Sequence, residues 1–348
     1  MYCAPAKAGE RGGALINYFS TPVSIILTLL AAAMWGSWMQ VVKLKKDYPV
    51  AGIAFVLYMF SFVLVWAITL VLSPVLLPNG IIEAINQSKD VMWEIVLGGA
   101  MMSAGLFISL TIMNDLGLML ATTLTGAVSS ILGIVTSISK EGMPSNPMAL
   151  FLIIATSLIF IAASYICSRA SQMCAQDRKK DIDKSENKSK SKVNLKVIFW
   201  ILLNCLLVNG WAMGTATGTA AGLQPILTCA LMVTGSALSA LVIGLVLFTL
   251  KKQWKTVLCI GRSKKPLLMS AISAVCHYGG NLLSIYSMPA ISATLSFLFG
   301  KTSTVWTYFW GIYYKEFDGA KKSTLITLYL GLILYFIGLG LLFVYNFG

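Results

Sequence analysis

Charge is scarce in this chain of 348 residues: 11% are Asp, Glu, Lys or Arg, against about 25% in an average soluble domain. So little charge cannot cover a water-facing surface. Carboxylates are scarcer still, with 13 Asp and Glu against 26 Lys and Arg, and there is one histidine, His277. The sequence has no GxxxxGK[ST] loop, no HExxH, no GxSxG and no His/Cys cluster with ligand spacing. Those absences argue against an enzyme and against ATP coupling within this chain, so no catalytic residue, metal site or cofactor is expected. Six of the seven cysteines fall in apolar runs (Cys167, Cys205, Cys229, Cys276) or basic loops (Cys174, Cys259), and they read as small core residues without a disulfide framework.

What is present is apolar. Hydrophobic residues make up 57% of the chain and the mean hydropathy is +0.80. A spanning helix needs about 20 apolar residues, and windows bounded by charge, Pro or Gly place ten of them. They run near Pro22–Val42, Val50–Leu72, Val91–Met113, Leu116–Ile138 and Met148–Cys167, then Val197–Ala216, Gln224–Leu250, Pro266–Tyr286, Ala290–Tyr314 and Thr324–Val344. The expected fold is an all-α polytopic membrane protein. The first run lacks a small-residue cleavage site, so no cleaved signal peptide is expected.

The hydrophilic stretch 169–196, with QDRKKDIDKSENKSKSK, is too polar to bury a core of its own and divides the chain into two sets of five spans. The expected organisation is an N-terminal segment 1–21, a five-helix repeat 22–168, a basic linker 169–196 and a second repeat 197–348. Sorting the cations by loop puts 21 of the 26 on one side: Lys43, Lys45 and Lys46, the linker set, the set from Lys251 to Lys265, and Lys315, Lys321 and Lys322. Lys7, Arg11, Lys89 and Lys140 fall on the other, and Lys301 lies within a span. By the positive-inside rule the linker is cytoplasmic and both termini are extracytoplasmic. The net charge of +13 is thus a topology signal, and no nucleic-acid partner is expected.

Two halves of five spans sharing one fold would enter the membrane in opposite senses, the inverted-repeat plan of many secondary transporters. Short likenesses agree: TTLT at Thr122–Thr125 with Lys140 and Glu141 beyond it, and ATLS at Ala293–Ser296 with Lys315 and Glu316 beyond it.

Polar groups are expensive in hydrocarbon and mark a protein interior or a water-filled path. The eighth span carries Ser270, Ser273, His277, Asn281 and Ser284 on one helical face. The fourth has Thr122, Thr125, Ser129, Gly133 and Thr136, and the ninth Thr294, Lys301, Thr304 and Tyr308. These stripes are candidates for a cavity lining, with interhelical hydrogen bonding by Ser and Thr as the competing reading. Lys301 lies near mid-span, where it would contact substrate oxygens, change protonation during a cycle, or serve as a structural ammonium. His277, with an ordinary pKa near 6.5, is either a proton carrier or a satisfied core residue. Since no carboxylate sits mid-span, proton coupling would have to use His277, Lys301 or Glu94. Trp35 and Trp38 in the first span and Trp211 in the sixth could stack on a sugar face or anchor at the interface. Gly214, Gly218 and Gly222 imply close helix packing, with Asn209 and Gly210 beside them as a candidate break.

Ten spans in two halves, each half with a Glu ending its fourth helix (Glu141, Glu316), resemble the drug/metabolite transporter superfamily. The nearest likeness is to the L-rhamnose/proton symporters and the glucose/ribose porters, through WAITLVLSPVLLPN, LGGAMMSAGLFISLTIMNDLGLMLATTLTG, SRASQ and YYKEFDGAKKS. The resemblance implies proton-driven uptake of a monosaccharide by alternating access in the cytoplasmic membrane. Lys301, Asn281, Thr304, Ser129, Thr125, Trp35 and Trp211 are the expected substrate-binding residues. Other branches hold anionic oxygens with membrane-embedded lysines, so the alternative is an exporter or exchanger of a sugar phosphate or nucleotide sugar, or a general drug/metabolite exporter. A channel or sensor would use the same frame. Expected partners are a small solute, protons and the bilayer, with a homo-oligomer left open.

Overall fold

The computed structural model describes residues 17–38, 40, 48–116, 118–144, 146–182 and 195–347, with side chains outside 110–128, 179–182, 195–198 and 345–347. Lys7, Arg11, Lys43, Lys45, Lys46, the linker core 183–194 and the side chains of Thr122 and Thr125 lie outside the described residues.

The described residues form helices joined by short turns, with no strand among them. In order these are α1 (Thr21–Ser37), α2 (Val50–Leu76), α3 (Ile81–Gln87), α4 (Lys89–Leu116), α5 (Leu118–Glu141), α6 (Pro147–Ile182) and α7 (Leu195–Val208). The second half continues with α8 (Gly210–Ala220), α9 (Pro225–Leu250), α10 (Trp254–Val257), α11 (Lys265–Ile291), α12 (Ala293–Gly300), α13 (Ser303–Tyr313) and α14 (Lys322–Phe347). Proline sets several starts: Pro22, Pro225 and Pro266 stand in the first turns of α1, α9 and α11, where a missing N–H costs nothing. At the end of α8, Gly222 adopts φ +68, and Leu223 N–H closes back on Gly218 O at 3.0 Å. This glycine cap turns the chain into α9.

Among the described residues six helical stretches are long and apolar enough to cross a membrane: Val50–Leu76, Lys89–Ser109, Pro147–Arg178, Phe199–Ala220, Pro225–Leu250 and Lys322–Val344. Their outer faces expose large apolar side chains such as Val71, Val75, Leu97, Phe151 and Phe336. A surface of that kind is suited to lipid rather than water. The other expected spans differ in kind. α1 is apolar but has 17 residues, α11 is long but interrupted by Ser, His and Asn, and the expected ninth span is two helices. At Lys301 and Thr302 the backbone tightens into bonds three residues back, Lys301 N–H to Leu298 O at 3.0 Å and Thr302 N–H to Phe299 O at 3.1 Å. At Asn209 the ladder instead carries through, with Asn209 N–H on Cys205 O and Met213 N–H on Asn209 O.

The stretch expected to be a linker from residue 169 begins as helix, because α6 runs on to Ile182. Tertiary bonds extend it. Asp177 accepts from the Lys321 N–H at 3.0 Å and the Thr324 hydroxyl at 2.7 Å, and Arg178 donates to the carbonyls of Lys315 and Asp318.

Packing joins the two halves of the chain. α9 lies against α4 and α2, α11 against α1 and α2, α8 against α4, and α14 against α6. The α4–α9 contact is made backbone to backbone: a Cβ on Gly99 would strike the Met232 carbonyl, and one on Gly235 the Val96 carbonyl. Without a hydrophobic driving force in lipid, small residues that admit such approach hold helices together by dispersion. Gly214 follows the same logic against α4, so close packing describes this glycine series at Gly214, whereas Gly222 serves the turn.

Candidate functional site

A cavity of about 310 Å³ lies where α1, α2, α4, α11, the α7–α8 junction and the α12–α13 break converge. That is at the small end of the range for ligand sites, roughly 300 to 1,000 Å³.

Aromatic rings build its walls. Trp35, in the last turn of α1, meets Trp211 of α8 edge-on at 5.3 Å, and Trp211 leans on Phe297 of α12 at 6.2 Å. Room for the Trp35 indole is made by two glycines, since a Cβ on Gly280 or Gly300 would lie 2.8 Å or 2.7 Å from its ring. Gly133 on α5 admits Phe297 in the same way. On the α2 side, His277 is faced edge-on by Trp38 at 5.3 Å and Tyr58 at 5.9 Å, with Tyr278 at 5.4 Å beside it.

Polar atoms then point into this aromatic frame. Trp35 Nε1–H donates to Asn281 Oδ1 at 2.9 Å, with a longer bond to the His277 carbonyl at 3.2 Å. An indole N–H can only donate, so it fixes the orientation of the Asn281 amide and leaves Nδ2 for another acceptor. Asn281 Nδ2, Trp211 Nε1, Tyr58 OH and His277 Nδ1 are all buried and have no hydrogen-bond partner among the described residues. All four residues line the cavity. Buried polar groups are ordinarily satisfied, and an unmade bond costs about 1–3 kcal/mol. Four together on one cavity wall match a ligand that supplies the partners.

Lys301 completes the set. As the residue that ends α12, it places its ammonium 4.3 Å above the Phe297 ring. Among the described residues no carboxylate pairs with it, and none lines the cavity. The cavity therefore offers an indole N–H, an amide N–H, a phenol and an ammonium as donors, with no fixed negative charge. Such a lining suits an oxygen-rich or anionic solute with an apolar face.

The sequence-predicted residues divide clearly. Trp35, Trp211, His277, Asn281 and Lys301, drawn from four helical segments, meet in this one cavity. Thr304 lies beyond the break and bonds with Tyr335 of α14. Ser129 is buried away from the cavity, and Thr125 lies where side chains are not described. In the described part of the α5 stripe, Gly133 packs against Phe297 and Thr136 Oγ1 accepts from Asn209 Nδ2 at 2.7 Å. Glu94 is also off the cavity, ion-paired with Lys140. In α11 the serines are structural: Ser270 bonds Pro266 O, Ser273 bonds Trp38 O and Ser284 bonds Ser296. Trp38, a candidate for sugar stacking, also lines the cavity, and Tyr58, Ser109, Phe297 and Ser303 line it without having been expected there as site residues.

No family model matches the chain, and no curated protein matches it. Thirteen chains of solved structures do match. One of these, described only as the crystal structure of a protein, superposes with a TM-score of 0.60 at 11% sequence identity, covering 93% of this chain and 96% of the other. At that identity the likeness establishes a shared helical fold.

Proposed function

We propose that this chain is a secondary-active carrier of the drug/metabolite transporter superfamily, which takes up a sugar-like polar metabolite together with protons by alternating access. In this reading it has ten spans in two inverted five-helix repeats, sits in the cytoplasmic membrane and keeps both termini extracytoplasmic. The four expected spans outside the six apolar ones are α1, α5, α11 and α12–α13, and each of them also turns large apolar side chains outward, among them Ile26, Ile131, Ile272 and Phe309.

One observation carries the reading: a cavity lined by six helical segments, walled by tryptophans and edged with donors unpaired among the described residues. Aromatic faces suit the apolar side of a sugar ring, and inward donors suit its hydroxyls. A discontinuous helix at the site, as at Lys301, is a recurrent device of secondary transporters. His277 is the titratable group left for proton coupling beside Lys301, since Glu94 is already paired outside the cavity.

A second reading keeps the carrier and changes the solute to an anionic metabolite such as a sugar phosphate. Lys301, with no carboxylate paired to it among the described residues, favours that reading. Counterflow of labelled solutes in proteoliposomes decides among the classes. A carrier gives saturable counterflow at low turnover, a channel gives steady current without it, and inhibition by neutral sugars or by anions separates the two solute classes.

A further inference from the structure

The side chain of Glu141 joins two distant parts of the chain. It ends α5, and its carboxylate reaches the start of α12: one oxygen accepts the Ala293 N–H at 2.5 Å, while the other accepts the Thr294 N–H at 3.2 Å and the Thr294 hydroxyl at 3.1 Å. The first N–H groups of a helix have no partner within it, and the helix dipole favours negative charge there. A carboxylate from another helix answers both demands. The preceding residue, Ser292, holds φ +76 and accepts the Leu295 N–H on its own hydroxyl at 3.2 Å. That conformation is rare for a residue with a Cβ and persists only where its surroundings impose it. One residue earlier on α5, Lys140 pairs with Glu94 of α4, so the last turn of α5 is clamped to α4 and α12 together.

α12 is only eight residues long, about 12 Å. Glu141 holds its first turn, and Lys301 ends it at the cavity. The helix is thus a short strut between the tie and the ammonium. At the other end of the bundle α13 closes on α1, where Trp310 Nε1–H donates to Ser37 Oγ at 2.8 Å. Each end of the cavity region therefore has its own contacts between helices from opposite halves of the chain: the Glu141 carboxylate holds the start of α12, and Asp177 and Arg178 of α6 hold the segment that follows α13.

Resting on the carrier reading, we propose that Glu141 is a positioning residue of the transport cycle: its tie to α12 latches the mouth at the end of α5 and holds Lys301 in the cavity. Opening that mouth requires the tie to break, and Lys301 moves with α12 when it does.

The test uses full-length protein in intact cells, with Ser303→Cys placed in the cavity wall and an impermeant maleimide added from the side opposite the Lys251–Lys265 loop. Site-specific labelling is read by mass spectrometry. Glu141→Gln keeps the shape and removes the charge, and is expected to raise the labelling rate about tenfold, the scale of one hydrogen bond to a charged group. Amide exchange at Ala293 and Thr294 should rise with it. Glu141→Asp should fall between the two. An unchanged labelling rate in Glu141→Gln overturns the latch. Should that variant fail to fold, Thr294→Val, which deletes one donor to the same carboxylate, decides by whether labelling rises about threefold or stays put. Labelling needs no transported solute: lost counterflow with the labelling pattern intact removes the carrier reading alone, and unchanged labelling with counterflow intact removes the latch alone.

Discussion

Trp35 and Asn281 act as one unit on the cavity lining, because the indole N–H of the first holds the amide oxygen of the second at 2.9 Å and leaves its buried nitrogen without a partner among the described residues. Asn281→Asp keeps the acceptor for Trp35 while replacing the free donor by a negative charge. The expected outcome is solute binding weakened by a factor of about ten or more, with thermal stability near that of the parent, as measured by counterflow and by melting of the purified protein. Asn281→Leu, which also strips Trp35 of its partner, should lose stability as well, by about 1–3 kcal/mol.

Lys301 stands over Phe297 at 4.3 Å and ends a helix within the cavity wall. Lys301→Met preserves length and removes the ammonium. Uptake by proteoliposomes of normal protein yield should lose affinity by about tenfold or lose its coupling to protons. Unchanged affinity and coupling would leave the lysine a purely structural role.

His277 is surrounded by the rings of Trp38, Tyr58 and Tyr278. If it carries the proton, His277→Gln should retain exchange of solute across the membrane and lose accumulation against a gradient. Parent accumulation should collapse when the pH gradient is removed. Accumulation that persists with both the pH gradient and the membrane potential abolished excludes proton coupling.

Gly235 touches the backbone of α4 at Val96. Gly235→Ala should lower stability by about 1–3 kcal/mol, the usual cost of forcing an extra methyl into a packed contact. A melting series in detergent checks this, with Gly340→Ala, which meets nothing within 4 Å, as the neutral control.

A cysteine placed between residues 183 and 194 should react with an impermeant reagent only from the cytoplasmic side. Reaction from outside intact cells would invert the orientation drawn from the lysine distribution.

The residues that could be read from sequence were those that violate their surroundings. A lysine, a histidine and an asparagine in apolar runs stand out because hydrocarbon makes them costly, and all three line the cavity. Tyr58 and Phe297 lie in apolar runs where an inward ring and a lipid-facing ring look alike, and only the packing of α2, α11 and α12 distinguishes them. Thr304 and Ser129 show the opposite failure. Helical spacing marks a face as covered without saying what covers it, and the cover proved to be other helices. The break at Lys301 was hidden for a related reason: SATLSFLFGKTSTVWTYFWG holds no proline, so the interruption follows from tertiary placement rather than local chemistry. Glu141 was visible as the end of a helix, whereas its partner lies 152 residues away.

The bare-backbone contact between α4 and α9 has a mechanical consequence. With Gly99 and Gly235 each pressed on a carbonyl of the other helix, neither helix can slide or roll past the other by the width of a methyl group. The two therefore travel as one body, although one precedes residues 183–194 and the other follows them. In the proposed carrier that seam is the fulcrum of the cycle, and the shorter helices around it are its moving parts.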